Sequence, residues 1–307
     1  MAIGVTKMAR LNAIVRQLPS VETLGSVQVI CSDKTGTLTE GKMGTAEIWT
    51  SDNSLYTFTE STSLDPTKGF AQKYTTASIS SVLSSIDKEK LRFNTDVITD
   101  VQVKDAPASL IISSMIASLC NNSNVVQQED GSFKPIGDPT EVAMVVAAQK
   151  AGFSREFFHQ TVGLERICEF PFDSERKLMS CIYKQNESTS STSFPTDSAF
   201  IIAKGAPEGI LSRSTHYLPE QSNNSSFINL VQESHTPMNA NFQEVVSQAS
   251  SRMAESGLRV LALAIRNVSL KEAKEISASK KDALSETNLT FVALIGLIDP
   301  PKYFNLI

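Results

Sequence analysis

Histidine and cysteine are scarce in this chain, 3 and 4 in 307 residues. Cys31, Cys120, Cys168 and Cys181 show no CxxC spacing, and His159, His216 and His235 are scattered. Such usage supports neither a zinc site nor a disulfide framework, and it fits a reducing cytosol. Basic residues are not in excess: Lys+Arg 28 against Asp+Glu 33 give a net charge of −5. A general nucleic-acid binder carries a basic face, so nucleic acid is not an expected partner. Long apolar runs are missing too. The longest, such as Phe291–Ile298 and Val142–Ala148, fall far short of the ~20 residues that span a bilayer. The opening MAIGVTKMAR has no signal-peptide core. No internal repeat occurs, and no GxxxxGK[ST] loop is present to hold a nucleotide.

What remains is a chain long enough for two domains, with 41% hydrophobic and 20% charged residues. Met1–Leu18 spaces its apolar residues by three and four, which predicts an amphipathic helix. Pro19 and Ser20 punctuate it, and Ser20–Leu24 reads as a short turn or helix. Val27–Cys31 is β-branched and apolar, the pattern of a short buried strand. Thr45 to about Thr67 reads as strands and loops. Helices are expected over Ala108–Cys120 and Pro139–Ala151, with Phe153–Phe158 continuing the second. A hairpin is expected between them at Asp130-Gly131. Ile167–Phe170, Met179–Tyr183 and Ala199–Ala203 look like antiparallel strands. The polar stretches Gln185–Ser198 and Pro219–Pro237 look like insertions, the first a mobile loop. Ala240–Ser256 is expected as a helix closed by Gly257. Strands Arg259–Ile265 and Phe291–Ile298 should flank a Lys/Glu-rich helix at Ser269–Ser285. The fold class is α/β, with an antiparallel sheet flanked by helices.

The chemistry is concentrated in Cys31-Ser32-Asp33-Lys34-Thr35-Gly36-Thr37-Leu38-Thr39. Asp33 follows the expected strand directly, where open α/β sheets place their ligands. Gly36 permits a tight turn whose N–H groups can cradle a phosphate. Lys34 and the hydroxyls of Thr35 and Thr37 add polar partners. A carboxylate so placed can attack a γ-phosphate and carry it as an acyl phosphate. An Asp-Lys pair alone usually does no more than start a turn. The complete nonapeptide points to a nucleophile only through the family it resembles.

CSDKTGTLT, with MARLNAIVRQLPSVETLGSVQVI before it and EGKM after it, resembles the phosphorylation signature of type II P-type cation ATPases. Lys204-Gly205-Ala206-Pro207-Glu208 resembles that family's KGAPE, and Phe170–Ser180 resembles its adenine-holding Phe…Lys-x-Met-Ser stretch. Gly137–Glu141, Gly257–Ala262 and Asp299–Lys302 also fit. The motifs follow the family's order and span nearly the whole chain. The resemblance implies an α+β nucleotide-binding domain with an antiparallel sheet. That domain is inserted in an incomplete haloacid-dehalogenase-like, Rossmann-type phosphorylation domain. The implied divisions are 1–18 for a stalk helix, 19–44 for the first part of the phosphorylation domain, 45–298 for the nucleotide-binding domain, and 299–307 for the hinge and the return. The two crossings are expected side by side.

The resemblance also implies roles. Asp33 is the nucleophile, with Lys34 and Thr35 beside it. Glu141, Phe172, Lys177, Lys204 and Arg259 hold ATP: Phe172 by stacking on the ring, Lys177 and Lys204 by charge, Glu141 by accepting from the exocyclic amine, and Arg259 by meeting the phosphates. Mg²⁺ is held by Asp33, the Thr35 carbonyl and an Asp beyond this segment. Related phosphatases carry a second Asp two residues after the nucleophile; here that position is Thr35, which favours a longer-lived phosphoenzyme. The implied setting is the cytosolic face of a multi-pass pump, expected in the plasma membrane. The implied partners are the actuator, remaining phosphorylation and transmembrane parts of the same protein, and the transported cation, which this segment does not contact. Leu64–Gly69, Phe170–Ser174, Gly137–Glu141 and Gly296–Pro301 look closest to fungal sodium/potassium-exporting pumps, while Glu175-Arg176 keeps a calcium pump open. Rivals from other classes are a soluble aspartate-dependent phosphohydrolase and a regulatory nucleotide-binding module.

Overall fold

Leu289–Ile298 carries no charge, and in the computed structural model nine of its ten positions are buried. The structure describes residues 2–11, 13–29, 31–75, 97–101, 106–186, 197–219, 231, 235–279 and 286–302. They divide into two compact units, one of Met1–Gly41 with Pro301–Ile307, the other of Lys42–Pro300.

In the first unit, helix α1 (Ala2–Arg10) covers only the first part of the helix expected over 1–18, while α2 (Leu18–Ser26) takes in the short turn or helix expected at Ser20–Leu24. Pro19 lies in the first turn of α2, and Gln17 before it is extended (φ −136°, ψ 126°). A proline has no N–H to give the preceding turn, so it tolerates a helix start but not a helix interior. The buried strand expected at Val27–Cys31 is not formed by residues 27–29 or 31, and Ile30 lies outside the described residues. Val27 and Val29 are 42% and 78% exposed. β-Branched residues favour a strand only when a neighbour satisfies its backbone; among the described residues none pairs with this stretch. Lys34–Leu38 winds into a wide π-helical turn. Thr39 then bridges Pro301, and the Lys302 N–H donates to the Leu38 carbonyl at 2.9 Å.

In the second unit, the elements run β1 (Gly44–Thr50), β2 (Leu55–Phe58), β3 (Ala71–Thr75), β4 (Val97–Asp100), α3 (Ala108–Leu119), β5 (Asn124–Gln127), β6 (Phe133–Ile136) and α4 (Pro139–Lys150). They continue as β7 (Leu164–Asp173), β8 (Leu178–Gln185), β9 (Ser198–Gly205), α5 (Pro207–Arg213), β10 (Ser214–Tyr217), β11 (Thr236–Pro237), α6 (Ala240–Glu255), β12 (Arg259–Ser269), α7 (Leu270–Ser279) and β13 (Leu289–Ile298). One sheet has the order β4-β3-β2-β1-β13-β12-β9-β8-β7, antiparallel throughout, and β10 joins β13 in parallel. The expected helices at 108–120, 139–151 and 240–256 match α3, α4 and α6 closely, and Asp130-Gly131 turns the β5–β6 hairpin. The expected strands β7, β8 and β9 are all longer than their apolar centres. The short elements β3, β4, α5, β10 and β11 were not anticipated. Most of the two insertions, 187–196, 220–230 and 232–234, and the end of the Ser269–Ser285 helix, 280–285, lie outside the described residues.

Side chains alternate across a strand, so the sheet has two apolar faces. Ile48, Ile202, Leu263 and Ile265 meet Ile112, Met115 and Met144 of α3 and α4 on one face. Trp49, Ala203, Ala262 and Ala264 meet Ile210 of α5 and Val246 and Met253 of α6 on the other. Ile182, Ile201 and Val268 extend that second face against Ala273 and Ile276 of α7. The unit is three-layered, helices on both sides of an antiparallel sheet.

Candidate functional site

Gly137-Asp138-Pro139-Thr140-Glu141 starts α4. Gly137 has φ 105°, and a Cβ there would fall 2.2 Å from the Ser123 hydroxyl. Asp138 caps the helix: its carboxylate accepts from the N–H groups of Thr140 at 2.9 Å and Glu141 at 3.2 Å. Pro139 takes the first turn, where its missing N–H costs nothing. This cap aims Glu141 across the end of the sheet toward Lys204 on β9, which pairs with Met179 of β8. The Lys204 Nζ donates to Glu141 Oε1 at 2.7 Å, with side-chain exposures of 8% and 18%. Glu141 Oε2 accepts from the Asn122 N–H and the Ser123 hydroxyl, both at 3.0 Å. Burial pushes the Glu141 carboxyl upward, but the Lys204 ammonium and these hydrogen bonds outweigh it and hold it below its ordinary value.

The pair stands in a cleft of about 360 Å³ that also takes in Phe172, Arg259, Met179 and Leu261. Arg259 and Leu261 lie two apart on β12 and so share a face. The Arg259 Nη1 is 3.4 Å from the Thr140 hydroxyl, to which it donates. Phe172, near the end of β7, is 61% exposed. A large exposed aromatic ring above an apolar floor of Met144, Met179 and Leu261, with charges of both signs around it, can stack a planar ring and hold polar groups at its edges. Of the five residues expected to bind ATP, Glu141, Phe172, Lys204 and Arg259 line this cleft.

Lys177 does not line it. It ends the turn between β7 and β8 with φ 52°, an uncommon conformation for a side-chain-bearing residue. The turn is built by Asp173, whose carboxylate accepts from the N–H groups of Glu175 at 2.9 Å and Arg176 at 3.0 Å. The Lys177 carbonyl accepts from the Ala206 N–H at 3.0 Å. It lies over Gly205, where a Cβ would come within 2.5 Å of that carbonyl oxygen. KGAPE therefore owes its glycine to this close backbone approach. Arg176 behind the turn is paired with the buried Glu286, which also accepts from the Ser180 hydroxyl at 3.0 Å.

Asn122, Glu169 and Arg166 were not anticipated. The Asn122 amide donates to Glu169 Oε1 at 2.6 Å. Arg166 Nη1 donates to Asn122 Oδ1 and Glu169 Oε2, both at 2.9 Å. The signal that could have found Asn122 is a polar Asn-Asn-Ser triplet straight after the apolar helix α3.

Asp33 belongs to the other unit. It is exposed, and its carbonyl accepts from the Ser32 hydroxyl at 3.1 Å. Gly36, at φ 75°, donates its N–H to the Thr39 hydroxyl at 3.1 Å, and its carbonyl accepts from Lys302 Nζ at 2.6 Å. Among the described residues no cluster of three or more metal-ligating side chains occurs. Asp33 offers one exposed carboxylate, and Mg²⁺ takes one or two carboxylates and completes its shell with phosphate oxygens and water. No helix among the described residues is long and apolar enough to cross a membrane.

Comparison with known proteins adds an independent line. The family described as P-type ATPase, cytoplasmic domain N, matches residues 111–303. The calcium-transporting ATPase of Bacillus subtilis (strain 168) is 30% identical over 303 residues, covering 98% of this chain and 28% of that protein. The sodium/potassium exporting P-type ATPase cta3 of Schizosaccharomyces pombe is 32% identical over 302 residues, covering 98% and 26%. Calcium-transporting ATPase 1 of Saccharomyces cerevisiae is 33% identical over 306 residues, again 98% and 26%. The chain thus spans about a quarter of the length of these curated relatives.

Proposed function

The chain belongs to the P-type ATPases, and from that premise we propose that it is the ATP-binding and phosphate-accepting segment of an ATP-driven membrane cation pump. The observation that carries the nucleotide half is the cleft itself. Glu141, Phe172, Lys204 and Arg259 come from four separate elements and line one hollow. Phe172 stacks on adenine, Lys204 and Arg259 supply charge, and Glu141 holds Lys204 in place. Lys177, in the turn between β7 and β8 with its carbonyl bonded to the Ala206 N–H, adds positive charge for the nucleotide. Asp33 is the nucleophile. Its carboxylate attacks the γ-phosphorus, the bond to the β-γ bridging oxygen breaks, and ADP leaves. Lys34 and Thr35 flank the transferred group. Mg²⁺, bound at Asp33 and the Thr35 carbonyl, would neutralise the phosphates. Because Thr35 stands where a phosphatase has its acid/base Asp, the acyl phosphate outlasts a slow conformational change, as a pump requires.

In the whole protein this segment faces the cytoplasm of a multi-pass membrane pump, in the plasma membrane, and works with the actuator, phosphorylation and transmembrane parts. Sodium/potassium export is the cation reading, supported by the likeness of Leu64–Gly69 and Gly296–Pro301 to fungal exporters. Calcium is the second reading, supported by relatives named as calcium-transporting at 30% and 33% identity. Titration of the chain with ATP tests the site. An open groove with one stacking ring predicts a Kd of about 0.1–1 mM, and Phe172→Ala should weaken it about tenfold. Nucleotide-induced NMR shifts that bypass Phe172, Lys177 and Lys204 would show the assignment to be wrong.

A further inference from the structure

The Ser118 carbonyl, near the end of α3, does not have the partner its helix would give it. Inside a helix each carbonyl accepts from the N–H four residues on, which for Ser118 is that of Asn122. Arg155 stands in its place, donating to this carbonyl from Nε at 3.1 Å and from Nη2 at 3.0 Å. The Asn122 N–H is released, and it donates to Glu141 Oε2 at 3.0 Å instead. Arg155 Nη2 also donates to the carbonyls of Asn121 at 3.1 Å and Ser123 at 3.0 Å. One guanidinium thus gathers three carbonyls of the segment leaving α3. Ser118, Asn121 and Ser123 are buried, and a buried carbonyl left without a donor is costly.

Arg155 is not among the residues that line the cleft. It follows the C-terminal end of α4, past Gly152 and Phe153, whereas Glu141 stands at the start of that helix. The turn that carries it docks on the same point of α3, since the Phe153 carbonyl accepts from the Ser118 hydroxyl at 3.2 Å. The gathered segment in turn faces the start of α4. The Asn121 amide donates to the Glu141 carbonyl at 2.8 Å, and the Ser123 hydroxyl donates to Glu141 Oε2 at 3.0 Å. A carboxylate offers about four acceptor positions. Asn122 and Ser123 fill those on Oε2 and Lys204 takes one on Oε1, so the position left for a base is the second on Oε1.

We propose that Arg155 is a positioning residue for the nucleotide cleft: by taking the Ser118 carbonyl it keeps the Asn122 N–H on Glu141, and so aims the free acceptor of that carboxylate at the exocyclic amine of the base. This rests on the nucleotide reading above, with Glu141 as the acceptor of the amine. Without the guanidinium, the donor placed by helix geometry to satisfy Ser118 is the Asn122 N–H itself. α3 would wind on by one residue, and Glu141 would lose a bond that fixes its orientation. The contact with the amine would suffer, while stacking and charge, which any purine nucleotide shares, would stay.

The experiment titrates the whole chain with ATP and with ITP, whose purine carries a carbonyl where adenine has its amine. The unsubstituted chain should prefer ATP by about tenfold. Arg155→Met keeps the apolar stem and removes every donor. It should weaken ATP about fivefold and ITP hardly at all, which narrows the preference to about twofold. A merely structural loss would weaken both alike. Should the variant fail to fold, the Arg155 Nε–H resonance of the unsubstituted chain reads the same coupling, and ATP should move it more than ITP does. An unchanged ATP/ITP ratio in folded Arg155→Met, or an Nε–H resonance that answers both nucleotides alike, overturns the role of Arg155 while ATP binding still stands. An unsubstituted chain that binds the two equally overturns the amine role of Glu141 and this proposal with it. A chain that binds neither overturns the nucleotide reading as a whole.

Discussion

Glu141 and Lys204 bury an ion pair at the edge of the cleft, and burial makes the pair sensitive to the loss of either partner. Glu141→Gln leaves an ammonium 8% exposed without its counter-charge. The expected cost is about 1–3 kcal/mol, with weaker ATP binding besides. The pH dependence has a definite sign. The Glu141 carboxyl sits below its ordinary 4.5 because the Lys204 charge and hydrogen bonds overcome the upward push of burial. A lowered folded value means that the unfolded chain binds protons first on acidification. The stabilisation is therefore complete above pH 4.5 and fades as pH falls through the folded value. Urea unfolding of wild type and Glu141→Gln at about pH 7 and about pH 3.5 checks this, and the gap between them should narrow in acid. A gap that widens would mean the carboxylate is not the stabilised species. At this scale the convergence of Glu141, Phe172, Lys204 and Arg259 on one cleft was legible because each stands in a dense local motif. The Asn122–Glu169–Arg166 cluster was not, because it depends on a bulge in β7 and on Asn122, forty-seven positions from Glu169.

Elements were legible in proportion to how apolar and how long they are. α3 and α4 have buried residues almost throughout and were placed within a residue or so. β3 reads Ala-Gln-Lys-Tyr-Thr, a half-polar strand near the sheet margin, and carries little signal of its own. Val27–Val29 shows the reverse error, a strand composition without a neighbour to pair with. The β7–β8 turn and the end of β9 form a unit no periodicity could announce, since backbone meets backbone there. Gly205→Ala should be costly for that reason. Its Cβ would lie 2.5 Å from the Lys177 carbonyl oxygen and 3.0 Å from Leu178 Cα, both rigid main-chain atoms. A loss of about 1–3 kcal/mol is expected, read as a melting temperature lower by about 2–4 °C per kcal/mol. Nucleotide binding should fall with it, since Gly205 lines the cleft. A variant as stable as wild type would show that the turn does not dock on β9 as described.

For the molecule as a whole, the decisive test of the proposed phosphate acceptor is Asp33→Asn in the full-length protein. Asparagine keeps the size of the side chain and removes the nucleophilic carboxylate. Wild type should take up label from γ-labelled ATP, stable in acid and cleaved by hydroxylamine as an acyl phosphate is, and the variant none. ATP binding should persist in the variant, because Asp33 and the cleft belong to different units. Label retained by Asp33→Asn would move the phosphate to another residue. β1 and β2 come early in the second unit, yet β1 takes its other neighbour from β13, and β13 is also the partner of β12 and β10. On the ribosome, the strand that joins the two halves emerges last. Until Leu289–Ile298 is made, β1 and β2 have no central partner, and the apolar faces of Ile48, Trp49 and Leu263 stand open. A nascent chain of this kind holds unpaired strand edges for the time taken to synthesise roughly 240 residues at about 5–20 residues per second. Exposed strand edges of this kind favour aggregation, so the exposure belongs to that interval rather than to the finished domain.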